Sequence, residues 1–437
     1  MLPLLLFALQ AEVTTPPARP PHFTSDDLRL LATFSPPPDL PDSPTNAVAN
    51  SPLAAELGHA LFFDTGLSAN GRVSCATCHD PKKGWGDGRT LSQGLSILEK
   101  NAPTILGAGH NRWHFWDGRA DSLWSQALQP IEHPDEMGGN RLAVAHHLQA
   151  DEALRSHYEA IFGLLPDFTD RTHYPENALP PPVNLVFGFL PDETQTESSD
   201  PRHIAWKKMT SADQLIVNTV FANVGKALEA FERNIQTGEA RLDQFLTDLQ
   251  EGNEKSLALS LPEQRGLALF VGRAACNLCH FGPRLTDREF HNIGLGVEEG
   301  KNFDDGRPAG IEILRLDPFN GRGLFSDSTQ WKDNIKLRYL FYDYHTYGAY
   351  KTPSLRDVGR TAPYMHDGRF ATLEEVLDHY SELPGGPPIG HREETMIPLR
   401  FNAQEKADLA AFLRSLNGAP VPERWRTPPA EKLRTKR

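Results

Sequence analysis

The sequence predicts a mostly α-helical protein built as two related lobes with irregular insertions. Three observations predict it. Two clusters of one pattern, "CATCH" at Cys75–His79 and "CNLCH" at Cys276–His280, lie 201 residues apart. Similar motifs flank both clusters in the same order, as an internal duplication would leave them. Elsewhere the apolar residues recur at helical spacing, and strand signals are few.

Both clusters are Cys-x-x-Cys pairs with His directly after. Such a pair can be a redox disulfide, half of a four-cysteine zinc site, or a c-type haem attachment site. Only the haem reading requires the trailing His, which reaches the iron while each Cys forms a thioether. With 17 His in 437 residues, finding it after both pairs by chance has a probability of roughly 0.0015, the square of 17/437. Two covalently bound haems c follow, on Cys75, Cys78 and His79 and on Cys276, Cys279 and His280. The zinc reading takes second place.

The repeat extends outward from these clusters. "LGHALFF" (57–63) precedes the first and "RGLALFV" (265–271) the second. After the first come "NAPTILG" (101–107) and "FWDGRADSL" (115–123), and after the second "YKTPSLRD" (350–357) and "MHDGRFATL" (365–373). Trp116 then pairs with His366. The lobes read as cytochrome-c-like haem domains over residues 45–210 and 211–418. Residues 1–20 read as a truncated signal or disordered N-terminus, and 419–437 as a disordered basic tail.

Within the lobes, "SADQLIVNTVFANVGKALEAFERNI" opens on a capping box of Ser211 and Gln214. It sets Val220, Val224, Ala227, Phe231 and Ile235 on one face. "NAQEKADLAAFLRSL" does the same with Leu409, Phe412, Leu413 and Leu416. Two stretches match no repeat, 166–201 and 294–347. The first reads as a surface loop, and the aromatics of the second read as ordinary packing ahead of a partner surface.

Composition narrows the class. An apolar fraction of 39% and a charged fraction of 23% belong to a globular chain, and a net charge of −13 argues against nucleic acid as a partner. The opening "MLPLLLFALQAEV" is too short to span a bilayer and lacks a basic start, and no other segment approaches a membrane span. Because haem c is attached outside the cytosol, the expected compartment is the periplasm.

The stretch "APYMHDGRFATLEEVLDHY" (362–380) holds four possible iron ligands: Met365, His366, His379 and Tyr380. Thr372 and Glu375 form a capping box, so a helix begins there. Its apolar stripe is Leu373, Val376, Leu377 and Tyr380. His379 falls off that stripe, facing solvent. Tyr380 is therefore the side chain aimed at a buried haem. It lies 14 residues after His366, and 14 residues after Trp116 stands Pro130, which cannot ligate iron. No His or Met lies between Asp80 and Gly109, so the first haem reads as open. An open haem reacts with peroxide when an acid–base group can move a proton to the leaving oxygen. Glu136 is the best placed candidate, with Glu132 and Asp135 competing. Failing an open site, His110 or His114 would supply the missing ligand, and the protein would be a plain electron carrier.

The paired clusters, with "NAPT", "FWDGR", "PIEHPDEMG", "AFERNIQTGEARLDQFL" and "TAPYMHDGRFATLEEV", resemble the bacterial di-haem cytochrome c peroxidase and MauG superfamily over most of Pro52–Leu416. The resemblance implies an H2O2-dependent oxidoreductase with a peroxidatic haem in the first lobe and an electron-transfer haem in the second. It implies that Trp116 relays electrons between them and that Glu136, Gln126 and Pro130 line the peroxide pocket. It also implies a Ca2+ between the lobes, held by Asn101 and the carbonyls of Thr361 and Pro363, oxygen ligands that suit this ion. The peroxidase branch places Met where Tyr380 stands and a capping His near Gln93. Tyr at the first position and no His near the second are similar to MauG, which oxidises tryptophans on another protein. A tyrosinate donates charge to iron, whereas a thioether favours the reduced metal. The expected partner is thus a redox protein, either a protein substrate or a small cytochrome c or cupredoxin that donates electrons.

Overall fold

The computed structural model describes residues 20–34, 39–181, 185–186, 190–191, 199–253, 255–296 and 304–429. The expected signal segment, apart from its last residue, and the end of the expected tail from residue 430 lie outside them, as do parts of both insertions. Helices dominate. The only strands among the described residues are two antiparallel pairs of two residues each, Leu185–Val186 with Leu190–Pro191 and Phe290–His291 with Tyr350–Lys351. No helix among the described residues is long and apolar enough to cross a membrane.

Local signals set the helix ends. Thr372 Oγ1 accepts from Glu375 N at 3.2 Å and Glu375 Oε2 accepts from Thr372 N at 3.0 Å, opening the helix Leu373–Glu382 as expected. Asn402 and Glu405 do the same for Ala403–Ser415. The long helix Ser211–Glu232 corrects the expectation by one residue. Thr210 is its cap, accepting from Asp213 N at 3.1 Å, and the Gln214 amide donates instead to Trp206 O at 2.8 Å. Asp213 wins because its carboxylate also accepts from Thr210 Oγ1. The predicted stripe of that helix is buried throughout.

Two hydrophobic cores result. One gathers Leu57, Phe62, Trp124, Phe221 and Phe231, so the Ser211–Glu232 helix packs with the first haem cluster's surroundings. The other gathers Leu242, Phe245, Phe270, Leu377, Phe412 and Leu416. The chain ends cross between them. Leu31 and Phe34, at and just beyond the end of the helix Ser25–Ala32, lie in the second core. Val421 and Trp425 lie in the first. This corrects the expected disordered tail at its start: Trp425 packs on Phe231 and His59, and the His59 ring meets Thr427 O at 2.8 Å. The apolar Val421 and Trp425 outweigh the basic composition around them.

Each core turns on a glycine at the same place in its repeat motif. A Cβ on Gly58 would lie 1.9 Å from Ala227 O, and one on Gly266 would lie 2.1 Å from Asp408 O. Only hydrogen lets helix Pro52–Phe62 approach Ser211–Glu232, and Leu261–Val271 approach Ala403–Ser415, so closely. Gly58→Ala is expected to destabilise by about 1–3 kcal/mol through backbone overpacking, read as a lower Tm in thermal unfolding. An unchanged Tm would mean the helices separate freely.

The described parts of both insertions contribute to packing. Phe168, Tyr174 and Ala178 of the first are buried in the first core, a difference the segment's many prolines and acids concealed. In the second, Ile311, Leu314, Leu337 and Leu340 close over Trp113, but the aromatics expected to pack do not. Tyr339, Phe341, Tyr342 and Tyr344 are exposed, because the apolar Leu337 and Leu340 take the inward positions of that segment. Lys336 Nζ donates to Arg112 O at 3.0 Å, and the Arg307 guanidinium donates to the carbonyls of Asp117 and Gly118 at 3.0 and 2.8 Å. The second insertion therefore holds the loop that carries Trp116.

Candidate active site

Both Cys-x-x-Cys-His clusters fold into one tight helical turn. His79 N donates to Cys75 O and His280 N to Cys276 O, each at 2.9 Å. The turn sets both cysteines and the histidine of each cluster together. All four thiols are free of disulfides. Burial pushes the Cys75 thiol up, and the Cys276 thiol up to about 12, so neither is a ready thiolate. Each histidine is oriented by a backbone carbonyl: His79 Nδ1 to Trp85 O at 3.2 Å, and His280 Nδ1 to Leu285 O at 3.0 Å. Those bonds place the proton on Nδ1 and leave the Nε2 lone pair for a metal. Burial lowers both pKa values and keeps the rings neutral, as ligation requires. Trp85 and Leu285 both sit at positive φ, +61° and +51°, a strained setting that turns their carbonyls to this task. Sequence reading had no signal for either.

A cavity of about 940 Å³ receives Cys78 and His79 from one side and Cys276, Cys279 and His280 from the other. Neutral histidines with a free Nε2, paired thiols and a large cavity fit two attached haems. Most of the predicted site residues meet there. Trp116, Gln126, Pro130, Glu136 and Tyr380 line it, as do Asn101, Thr361 and Pro363. The Asn101 amide donates to Arg89 O at 2.7 Å, which leaves its Oδ1 to accept or ligate. Trp116 Nε1 donates to Asn101 O at 3.0 Å and is fixed in the wall.

The three competing carboxylates separate clearly. Glu132 does not line the cavity, because Arg141 takes both its oxygens, at 2.9 and 2.5 Å. Asp135 and Glu136 do line it. Burial raises the Glu136 pKa, while His133, 3.9 Å away, and Arg119 oppose the shift. The Glu136 loop is pinned from outside, with Leu95 N donating to Glu136 O at 2.9 Å and Ser96 N to Asp135 O at 3.0 Å. Gly94 must be glycine there, since a Cβ would lie 2.4 Å from Glu136 O. Gln93 is turned away; its amide oxygen accepts from Arg89.

On the other side, Met365 and His366 reach the cavity with Tyr380. His366 stacks on Tyr350 with ring centroids 3.7 Å apart, and burial drops its pKa to about 4. Burial, and after it the thiols of Cys276 and Cys279, push the Tyr380 phenol well above the ordinary range. His379 corrects the expectation of a solvent-facing ring. It is buried, its Nε2 3.1 Å from Ile293 O, because the segment before the second insertion folds over that helix end. Sequence reading also missed Arg119, Gln129 and Lys351 on the cavity wall. Lys351 stood inside a quoted repeat motif, so its place was legible and its role was not. Cys279, Asp287 and His291 cluster tightly enough to resemble a metal site. His291 is already bound at 2.7 Å to each of Asp287 and Glu393, which hold it as an imidazolium.

Behind the first cluster, Glu232 is buried with Oε2 unpartnered, and burial lifts its pKa to about 8. A carboxyl whose folded pKa exceeds the unfolded one of about 4.3 contributes its full stability below that value, and loses it as pH rises through the folded pKa. Glu232→Gln should therefore gain stability over the parent between about pH 5 and about pH 8, by on the order of a few kcal/mol. Thermal unfolding across that range checks it, and a gap independent of pH would show that Glu232 is ionised.

A mostly helical chain with two such turns opening on one cavity defines a di-haem c-type cytochrome fold. Residues 52–179 match the family described as di-haem cytochrome c peroxidase. The chain is 33% identical over 394 residues to the methylamine utilization protein MauG of Methylorubrum extorquens, covering 90% of this chain and 85% of that one. It is 30% identical over 378 residues to cytochrome-c peroxidase IdrP2 of a Pseudomonas species, covering 86% and 84%. The crystal structure of a MauG-like protein associated with microbial copper homeostasis superposes with a TM-score of 0.58 at 28% identity, over 90% of this chain and 98% of that one. The chain belongs to the di-haem cytochrome c peroxidase and MauG family.

Proposed function

We propose that the protein is a MauG-like, H2O2-dependent oxidoreductase of the periplasm that oxidises a protein or other donor held at its surface. The observation that carries this reading is Tyr380 on the cavity wall near Cys276 and Cys279, with Glu136 and Pro130 lining the same cavity as Cys78 and His79. Two haems, when attached, supply iron that stores and passes single electrons, and the one on His79 offers the place for peroxide. Glu136 takes a proton from bound peroxide and returns it to the leaving oxygen. Gln126 and Pro130 shape the pocket around that transfer. Two electrons from the donor and two protons turn H2O2 into two waters. Trp116 would pass electrons between the halves, and Tyr380 would offer its phenolic oxygen to the iron held by His280. Asn101 with the Thr361 and Pro363 carbonyls offers oxygen ligands for Ca2+ at the seam.

We infer also that the halves arose by duplication. Support comes from the matching histidine carbonyl bonds, the paired positive φ at Trp85 and Leu285 and at Phe115 and Met365, and Gly58 with Gly266. The two domains then divide near residues 45–210 and 211–418, with helix Ser211–Glu232 packing back on the first.

EPR of the diferric protein, made in a host that attaches haem c, tests the reading. One high-spin and one low-spin signal are expected. Two low-spin signals would mean a capped first haem. His114, a neutral cavity-wall imidazole, would be the candidate ligand for an electron carrier. The second reading keeps the fold with a cytochrome c as donor, favoured by relatives named cytochrome-c peroxidases. Steady turnover with reduced cytochrome c would select it.

A further inference from the structure

Arg119 stands on the cavity wall with Gln126, Gln129, Pro130 and Glu136. Its guanidinium lies over the Phe115 ring, 3.4 Å from the centroid. Nη1 donates to the two carboxylate oxygens of Asp117 at 3.3 and 3.1 Å, and Nε donates to Gln129 Oε1 at 3.1 Å. Nη2 makes no hydrogen bond among the described residues. The guanidinium is thus held by one face and two of its nitrogens, and the third is left for whatever enters the cavity.

The second insertion fixes this pose. The Gln129 amide donates through its nitrogen and accepts through its oxygen. Its Nε2 donates to Asp317 Oδ2 at 3.3 Å, and the Ser125 hydroxyl donates to the same oxygen at 3.0 Å. Burial, and Asp121 after it, lift the Asp317 pKa to about 6, which leaves the carboxylate ionised at neutral pH. An ionised carboxylate only accepts, so Asp317 turns the Gln129 nitrogen toward itself and the oxygen toward Arg119. Asp317 follows directly on the helix Arg307–Leu316, and its Oδ1 accepts from Phe319 N at 2.8 Å. The other end of that helix grips the loop before Arg119, where the Arg307 guanidinium takes the Asp117 and Gly118 carbonyls. Between them Gly310 lets the helix close in, since a Cβ there would lie 2.3 Å from Asp117 O. One helix of the insertion therefore clamps both the loop that carries Arg119 and the helix Leu123–Glu132 that carries Gln129.

We propose that Arg119 binds peroxide in this pocket through its free nitrogen, and that Asp317, acting through Gln129, is the positioning residue that keeps it there. This rests on the peroxide reading above. Negative charge gathers on the leaving oxygen as the O–O bond breaks, and a fixed cation on the wall offsets it. The same cation favours the ionised form of Glu136, the form that takes the proton. Burial raises the Glu136 pKa, His133 and Arg119 pull it down, and Asp135 pushes it up.

Stopped-flow mixing of the diferric holoprotein with H2O2 tests it, after pyridine haemochrome analysis has counted haems. Arg119→Gln is expected to lower the second-order rate by about 10²-fold and to move its acid limb to higher pH. Arg119→Lys, which keeps the charge, should restore the limb and part of the rate. Asp317→Ala should lower the rate by about tenfold or more through the misplaced guanidinium. Added to Arg119→Gln it should cost nothing further, because both act through one group. Gln129→Leu carries the same double-variant test if Asp317→Ala does not accumulate. Losses that multiply in the double variant, or an Arg119→Gln rate within about threefold of the parent, would overturn the inference alone. A parent that carries two haems and does not react with H2O2 would overturn the peroxide reading instead.

Discussion

Glutamine in place of Glu136 is expected to lower kcat with peroxide by about 10²–10⁴-fold, the usual worth of a positioned proton-transfer group. The carboxyl stands on the cavity wall, and burial favours its protonated form. Glutamine keeps its shape but can neither take a proton from peroxide nor return one. Because the loop is held through backbone bonds from Leu95 and Ser96, the substitution should leave folding and haem content intact. Stopped-flow mixing with H2O2 measures the rate, and haem absorbance confirms the load. A kcat within about threefold of the parent would remove Glu136 from the role. Asp135 would then be the remaining candidate on that wall. Glu132 would not, since its oxygens belong to Arg141.

Phenylalanine in place of Tyr380 should abolish the low-spin EPR signal of the second haem and convert it to high spin. The ring fits the same space, and only the phenolic oxygen is lost. The parent side chain is half-buried on the cavity wall near Cys276 and Cys279; burial first, and those two thiols after it, hold the phenol protonated, so a metal is what would draw off its proton. An unchanged low-spin signal would pass the ligand role to Met365 or His366, which reach the same cavity.

Much of this site could be read from the chain because its signals are local. The two histidines follow their cysteines directly, and the Thr372–Glu375 cap fixes the phase that turns Tyr380 inward. The misses share a different cause. The pairing of Glu132 with Arg141 and the burial of His379 under residue 293 depend on contacts that no periodicity encodes. Trp425 looked like part of a basic tail because composition weighs a segment and ignores a single anchor. The positive φ of Trp85 and Leu285 was invisible, since neither residue type advertises it. The capping error at Ser211 was of another kind. Two adjacent hydroxyl residues each had a polar partner three positions on, and only the Asp213 hydrogen bonds decide between them.

The crossed chain ends carry a consequence for biogenesis. The first core takes in Trp425 and the second takes in Phe34, so each closes only when a segment far from it along the chain has been delivered. Contacts of such long sequence separation are slow to form, because the loop-closure entropy must be met first. The same knot of ends makes the halves poor candidates for separate expression. A fragment stopped after Leu416 would leave His59 and Phe231 uncovered, and one begun at Pro52 would lack the Phe34 carbonyl that accepts from Arg356.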